Sequence, residues 1–220
     1  MRIEVWSDVI CPFCYIGKRN FEAALEKFPG KDNIELIWRC FQLDPGISNN
    51  EALSTTEYLS TRKNIPPAHV KQLLENVTAT AEKAGLGFKM DKAIVANSFD
   101  AHRLSHFAAR YNKQTELEEV MFQAHFVDGK NIGEKDVLLS LAVKIGINTK
   151  EAKEVLDSQA YASEVKADIS EAADFNIKGV PFFVFNRKYA ISGAQPPELF
   201  LETIEASFRE WQSTNRGEEE

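Results

Sequence analysis

The stretch Ile3-Glu4-Val5-Trp6-Ser7-Asp8-Val9-Ile10-Cys11-Pro12-Phe13-Cys14 joins a strand pattern to a helix pattern. Its first half alternates and is rich in β-prone residues, whereas the apolar residues from Phe13 to Leu25 have the spacing of one helix face. Pro12 suits the first position of a helix, where its missing N–H is not needed. The pattern therefore predicts two cysteines, one turn apart, at the start of a helix that follows a strand.

The rest of the chain predicts a second strand, a long helical block and a β-hairpin. Residues 34–43 read as a strand that closes at Asp44-Pro45-Gly46. From about residue 55 to 176 the apolar residues keep helical spacing. Strand patterns return at Val180–Phe185 and Tyr189–Ser192, and a last helix begins at Pro196-Pro197. The order is β-α-β, then helices, then β-β-α.

This order predicts an α/β protein in which a helical insertion splits one small domain. The two ends form one sheet only if they come together, so we expect residues 1–54 and 177–212 to make a discontinuous domain. Residues 55–176 would be the helical insertion domain, and residues 213–220 a disordered acidic tail.

Composition excludes several classes of protein. The net charge of −7 and the pI near 5.3 argue against a nucleic-acid-binding surface. An apolar content of 44% without a long apolar run predicts neither a membrane span nor a membrane partner. Glu4 interrupts what would be the apolar part of a signal peptide, so a cytoplasmic location is expected. In that reducing compartment, a close pair among three cysteines favours catalysis or metal binding over a structural disulfide.

The cysteine pair has the arrangement that thiol–disulfide exchange requires. Unpaired N–H groups and the helix dipole favour a thiolate at the first position, so Cys11 is the predicted exposed nucleophile. Cys14, one turn further, is the predicted resolving thiol. Pro12 and Phe13 would contact the substrate, Phe13 as an apolar edge. Asp8 is a possible proton acceptor for Cys14, or equally a plain turn residue.

Metal binding and haem attachment are the main alternatives for the pair. A structural zinc ion takes four ligands, and no second cysteine pair is present. The remaining donors are scattered along the chain: Cys40, His69, His102, His106 and His125. Haem attachment needs a histidine where Tyr15 stands. No metal site is therefore predicted, and Cys40 is expected to be a small buried hydrophobe.

Val180-Pro181 is the second anchor of the predicted site. A proline here begins an edge strand or follows a cis bond. A trans bond is the more common case, but the cysteine pair favours cis. A cis bond would present the backbone of Val180 to an extended substrate beside the cysteines.

With these residues in place, the chain resembles the DsbA-like branch of the thioredoxin superfamily, and most closely the FrnE-like dithiol oxidoreductases. The resemblance rests on Ser7–Lys18, on Asn97–Arg103 and on Gly179–Phe183. It implies a thioredoxin-like fold split by a helical insertion, a cis Pro181 and thiol–disulfide exchange. It also implies partners that are protein or small-molecule thiols and disulfides, with no tightly bound cofactor and with glutathione as a thiol co-substrate. A monomer or a homodimer is expected.

Two comparisons within that branch qualify the expectation. Periplasmic DsbA proteins carry histidine where this chain has Phe13, so a weaker oxidant is expected. The 2-hydroxychromene-2-carboxylate isomerases and kappa-class glutathione transferases resemble the chain but use serine at the position of Cys11. A glutathione-dependent isomerase or transferase acting on an aromatic or polyketide-like molecule is therefore the alternative. A non-enzymatic chaperone module is the third.

Further substrate-binding residues are predicted in the helical block. Asn97, His102 and Arg103 would lie near the cysteines, with Arg103 attracting a carboxylate of glutathione or peptide. In the competing interpretation Asn97 caps a helix and the other two lie on a solvated face. Either core packing or a groove wall is expected for an adjacent set, Phe122, His125 and Phe126.

Overall fold

The computed structural model describes residues 1–49 and 53–216, and within them the sheet has four strands. The strands are β1 (Arg2–Ser7), β2 (Glu35–Cys40), β3 (Phe182–Phe185) and β4 (Tyr189–Ser192). Their order is β2-β1-β3-β4, with β1 and β2 parallel and the other neighbours antiparallel. The two ends of the chain thus share one sheet, which confirms the predicted α/β fold class.

Helices flank this sheet, and most of them come between β2 and β3 along the chain. The helices are α1 (Pro12–Lys27), α2 (Thr55–Thr61), α3 (Pro67–Lys83), α4 (Phe99–Ala109), α5 (Gln114–Phe126), α6 (Lys135–Lys144), α7 (Thr149–Asp157), α8 (Ala162–Asp174) and α9 (Pro197–Arg216). Among the described residues, no helix is both long enough and apolar enough to cross a membrane.

Aromatic rings hold α1 and α9 to one face of the sheet. Phe21 of α1 lies 5.5 Å from Phe183 of β3 and 5.8 Å from Phe200 of α9, measured between ring centroids. Phe183 and Phe200 are themselves 4.7 Å apart. All three side chains are fully buried, and contacts of this kind stabilise beyond the area they bury. They fix the axis of α1, and with it the position of the cysteines.

The helical block shares its core with the sheet. One continuous set of buried apolar side chains includes Ile3 of β1, Leu104 of α4 and Met121 of α5. On the other face of the sheet, Trp6 and Val184 form a smaller cluster with Ala172 of α8. The block is therefore packed onto both faces. The predicted boundaries near residues 54 and 176 fall in the connections before α2 and after α8, and remain a prediction.

The ends of three elements differ from the sequence-based expectation. Strand β2 stops at Cys40 rather than Leu43, because the chain then turns toward α4 and the Asp8 turn. Strand β3 starts at Phe182, since Pro181 has no N–H for the ladder. Helix α9 continues to Arg216, past the predicted start of the tail, because no glycine or proline interrupts it earlier. Residues 217–220 of that tail lie outside the described residues.

Candidate active site

The turn between β1 and α1 places both cysteines at the start of the helix. The backbone N–H of Cys11 donates to the carbonyl of Asp8 over 2.9 Å, and the N–H of Cys14 donates to the carbonyl of Cys11 over 3.0 Å. Cys11 has extended backbone angles and is the residue that precedes the helix, with Pro12 first inside it. The first turn of α1 carries no acidic residue. The helix dipole therefore acts on these sulfur atoms unopposed from within its own turn.

The exposed group of the motif is Phe13 rather than Cys11. Phe13 keeps 43% of its surface, whereas Cys11 keeps 4% and Cys14 1%. The sequence predicted an exposed nucleophile, but Cys11 is buried because the loop before β3 covers it. The Cys11 thiol donates to the carbonyl of Val180 across 3.5 Å.

Electrostatics separate the two thiols of the pair. Burial raises the pKa of the Cys14 thiol well above its ordinary value, and contact with Cys11 raises it further. The Ser7 side chain and the backbone N–H of Asp8 oppose this shift. Cys14 is therefore held as a neutral thiol next to Cys11, which is the order of roles expected from the sequence.

The loop that faces Cys11 contains a cis peptide bond between Val180 and Pro181. This bond has the geometry that the resemblance implied. Helix α1 approaches the loop closely because residue 17 is glycine: a Cβ atom there would lie 2.8 Å from Cγ of Pro181. Gly17 was not predicted as a site residue. The signal that could have identified it is an isolated glycine inside the predicted helix, six residues after Cys11.

Asp8 lies beneath the start of α1 and is completely buried. Its Oδ2 accepts a hydrogen bond from the N–H of Leu43 over 2.8 Å, and its Oδ1 lies 3.6 Å from Nε2 of His102. The carboxylate thus joins the cysteine turn to the chain after β2. These contacts suit the turn role, and the proton role stays a proposal.

His102 is buried rather than exposed on a solvated face. Its Nε2 lies 2.9 Å from the carbonyl of Phe41. Burial alone would lower the pKa of His102, but the hydrogen bond and charge of Asp8 outweigh it and raise that pKa. The imidazole keeps 2% of its surface. It is therefore placed to position Asp8, and its contact with substrate stays a prediction.

Arg103 does not face the cysteines. Its guanidinium is buried and donates to the Asp100 carboxylate over 2.7 Å and to the carbonyls of Ala160 and Ser158 over 2.8 and 2.6 Å. It also donates to the carbonyl of Val155. These acceptors lie at the end of α7 and in the following turn, whose last carbonyls lack helical partners. Arg103 therefore fastens α4 to α7, and these contacts give no support to its predicted substrate role.

Asn97 belongs to the loop that precedes α4. Its side chain accepts from the N–H of Phe99 over 2.9 Å, as a residue at a helix N-terminus does. Its amide group donates to the carbonyls of Pro45 and Ile47 over 3.2 and 2.9 Å. The capping interpretation is therefore supported, one residue before the helix-capping position at Ser98, and the substrate role is not.

An apolar cleft of about 460 Å³ opens beside the cysteine motif, between α1 and the helical block. Its rim includes Ile10, Pro12 and Phe13, the neighbours of Cys11 on both sides. The other lining residues are Leu43, Thr55, Tyr58, Leu59, Lys63, Leu73, Leu74, Val77, Met90, Val95, His125 and Phe126. His125 and Phe126 thus line a groove, as one interpretation expected, whereas Phe122 stacks on Tyr15 in the core.

Cys40 lies in a different environment. Its sulfur, a nitrogen of His106 and an oxygen of Asp168 lie within 4.8 Å of one another, the one such cluster of potential metal ligands found in the described residues. Asp168 is already engaged there by Arg39 and His106, over 3.0 and 2.9 Å. A zinc site would want a fourth donor and a free carboxylate, so this donor set fits a buried ion-pair network better than a metal.

Comparison with known proteins identifies the family. The model of the DSBA-like thioredoxin domain matches residues 2–205. The chain belongs to this family. A curated relative, the uncharacterized protein YwbO of Bacillus subtilis (strain 168), is 30% identical over 206 residues, covering 93% of this chain and 96% of the relative.

Solved structures agree with this family. A probable DsbA oxidoreductase from Streptomyces coelicolor superposes with a TM-score of 0.90 at 36% identity, over 96% of this chain and 91% of the other. The cytosolic disulfide reductase DsbM from Pseudomonas aeruginosa shares the fold, with a TM-score of 0.66 at 15% identity over 95% and 99% of the two chains. Membership in this DsbA-like family supports assignment of the chain as an oxidoreductase.

Proposed function

We propose that the protein is a FrnE-type thiol–disulfide oxidoreductase in which Cys11 attacks and Cys14 resolves. The observation that carries the proposal is the pair itself: two free thiols at the start of α1, beside the cis Val180–Pro181 loop. Cys14 stays protonated because its pKa is raised, so the attacking thiolate forms at the helix N-terminus.

The exchange proceeds in two balanced steps. The Cys11 thiolate attacks one sulfur of a substrate disulfide, forms a mixed disulfide and releases the other sulfur as a thiolate. Cys14 then loses its proton and attacks Sγ of Cys11, which releases the second substrate thiolate and leaves the Cys11–Cys14 disulfide. The proton of Cys14 is assigned to the buried Asp8 carboxylate, which His102 holds in place. The reverse sequence oxidises a dithiol.

Substrate recognition is assigned to the surfaces around Cys11. An extended substrate would lie along Val180 and Pro181, with Pro12 and the exposed ring of Phe13 on its other side. Protein and small-molecule thiols or disulfides are the proposed partners, and glutathione is the proposed thiol co-substrate. We place this exchange in the cytoplasm, where the cytosolic reductase that shares the fold acts.

The test is disulfide exchange by matched serine variants. Reduced protein should accelerate insulin disulfide reduction in a glutathione buffer, and Cys11→Ser should abolish the acceleration. Cys40→Ser makes the same chemical change at a cysteine outside the motif and should retain at least half of the rate. Equal activity of native protein and Cys11→Ser would overturn the proposal.

The apolar cleft favours one alternative, a glutathione-dependent isomerase or transferase acting on an aromatic molecule. Such a reaction does not need a resolving thiol. Turnover of an aromatic substrate by Cys14→Ser at the native rate, with glutathione required, would select this alternative over disulfide exchange.

A further inference from the structure

The cleft beside Phe13 exposes apolar surface next to the cysteine motif. Three exposed large hydrophobic residues line it: Phe13 keeps 43% of its surface, Leu43 44% and Leu73 44%. Contiguous exposed apolar surface next to a reactive group is typical of a binding site. The volume of about 460 Å³ falls in the range of small-molecule pockets, about 300 to 1,000 Å³.

Four lining residues carry polar side-chain groups, and three of them are engaged. Thr55 donates to the carbonyl of Ala93 over 3.0 Å, and both Tyr58 and Lys63 donate to the Asp44 carboxylate. The fourth is His125. Its Nδ1 is buried and has no hydrogen-bond partner among the described residues. A buried polar atom without a partner is unfavourable and calls for an explanation.

The chemistry of His125 defines what its partner must be. The imidazole keeps 3% of its surface, and burial lowers its pKa to about 4, against the opposing charge of Asp8 and the carbonyl of Lys130. It is therefore neutral near pH 7. A neutral imidazole has one nitrogen that donates and one that accepts. Nδ1 therefore needs a partner such as a hydroxyl group, which can donate or accept.

We propose that the cleft holds the apolar, aromatic part of a small-molecule thiol or disulfide, and that His125 selects it by forming a hydrogen bond with a hydroxyl group of that molecule. This specificity rests on the exchange function proposed above. The rim on both sides of Cys11 places the sulfur of such a substrate next to the nucleophile. A polar group that meets its partner in an apolar site discriminates strongly against the analogue that lacks it.

The first test compares two disulfides that differ in one donor, bis(4-hydroxyphenyl) disulfide and diphenyl disulfide. Each oxidises the reduced protein by the two steps above and yields two aromatic thiols, so no other reductant is needed. The rates at which the two compounds react with free glutathione, without protein, measure the difference in their intrinsic reactivity. After that correction, native protein should prefer the hydroxylated compound by about tenfold, the value of one hydrogen bond.

Variants at the cleft assign this preference to His125. His125→Phe keeps a buried ring and removes the hydrogen-bonding nitrogen, so the preference should fall to about twofold or less. His125→Asn keeps a polar acceptor near Nδ1, should retain part of the preference, and serves if the phenylalanine variant does not fold. Leu73→Ala should slow both compounds equally, whereas Leu199→Ala, 41% exposed on α9, should slow neither. An unchanged preference in His125→Phe would overturn the proposal.

Binding without chemistry separates this inference from the exchange function. The double variant Cys11→Ser/Cys14→Ser cannot exchange but should still bind bis(4-hydroxyphenyl) disulfide more tightly than diphenyl disulfide, as measured by calorimetry. If the variant prefers the hydroxylated compound in binding but native protein exchanges no disulfide, the binding site would be supported and the proposed function refuted. Exchange of insulin without any preference between the aromatic compounds would do the opposite. If exchange depends on His125 only with tyrosine-containing peptide disulfides, the occupant of the cleft would be a peptide and not a small molecule.

Discussion

Cys11 and Cys40 follow neighbouring parallel strands and lie toward the same end of the sheet, yet their surroundings are opposite. Cys40 is the last residue of β2 and pairs in register with Ser7, the last residue of β1. Both cysteines are buried. Cys11 meets the N-terminus of α1 and a substrate-sized cleft, whereas Cys40 meets the Asp168 carboxylate. The helix dipole acts on the first sulfur, whereas a carboxylate faces the second.

The pKa of Cys40 expresses this difference. Burial raises the pKa of its thiol well above the ordinary value, and the negative charges of Asp168 and Glu118 raise it further. Cys40 therefore lacks the thiolate that exchange needs. The comparison teaches that the position of a cysteine at a strand end does not make it reactive. Cys11 differs because a helix begins directly after it.

Alkylation measures the contrast directly and should give the largest effect. At pH 7 iodoacetamide should modify Cys11 of the reduced native protein at least about 1,000-fold faster than Cys40, because Cys40 reacts only through local opening. Peptide mass spectrometry at timed intervals gives both rates. In denaturant the rates should become equal. Similar rates in the folded protein would end the distinction between the two sites.

Asp168→Asn, which changes the surroundings of Cys40, should lower the free energy of unfolding by about 3 kcal/mol. Oδ1 of Asp168 accepts from Arg39 and Oδ2 accepts from the N–H of Cys40, each over 3.0 Å, and asparagine has only one oxygen for these two donors. Urea denaturation at pH 7 measures the loss. Asp157→Asn, at an exposed carboxylate paired with Lys153 and Lys135, is the control and should leave the stability nearly unchanged.

The same carboxylate predicts a pH dependence. Burial alone would raise the pKa of Asp168, but hydrogen bonds from His106 and Cys40 and the charge of Arg39 outweigh it and lower that pKa. A lowered folded pKa gives stability that is present above the unfolded value, about 3.9, and is lost as the pH falls through the folded value. The difference between native protein and Asp168→Asn should therefore shrink at pH 3. A constant difference from pH 7 to pH 3 would contradict this assignment.

Gly17→Ala should act on the Cys11 side by a smaller amount, about 1 to 2 kcal/mol. Alanine would gain about 1 kcal/mol as a helix former, but its Cβ would meet the ring of Pro181 at 2.8 Å. The ring is rigid, so α1 must shift away from the Val180 carbonyl. Thermal unfolding and the exchange rate should both fall.

Gly179→Ala is the matched control for that change. Gly179 lies in the same loop, and a Cβ there would have no atom within 4 Å. Its effect on stability should stay within about 0.5 kcal/mol. Equal losses for both alanine variants would show that the loop, and not the contact between α1 and Pro181, is sensitive.

The sequence predicted the elements around Cys11 because local signals specify them. Alternation in β1, Pro12 and the helical spacing after it are each properties of neighbouring residues. Phe182–Phe185 and Tyr189–Ser192 were found for the same reason, since Asn186 and Arg187 take the positive φ values of a tight hairpin.

The environments of the helical block were not predictable in this way. Arg103 and Asn97 were expected at the cysteines because they belong to a segment that carries the family resemblance, and a sequence does not show which carbonyls such groups will meet. Arg103 meets the end of α7, more than fifty positions away along the chain. Burial of His125 and the opening of the cleft depend likewise on how α2, α3 and α5 pack, which no local pattern encodes.

Glu118→Gln should have the smallest effect and the opposite sign from Asp168→Asn. Burial raises the pKa of the Glu118 carboxyl, against the opposing contributions of Ser105, His102 and Lys18. Its Oε1 accepts from the Ser105 hydroxyl over 2.6 Å, a bond that glutamine can keep, whereas Oε2 has no partner among the described residues. Neutral glutamine should therefore be tolerated where asparagine at residue 168 is not.

The pH dependence gives this prediction its sign. A raised folded pKa means that protonated Glu118 stabilises the fold at low pH and that this contribution is lost as the pH rises through the folded value. At pH 8 the variant should thus be more stable than native protein by up to about 1 kcal/mol, and the gain should vanish near pH 4. Because Glu118 also raises the pKa of Cys40, the variant should alkylate slightly faster at Cys40 and unchanged at Cys11. A loss of stability at pH 8 would mean that the ionised carboxylate is needed, and that the acidic surroundings of Cys40 stabilise the fold rather than merely suppress its thiolate.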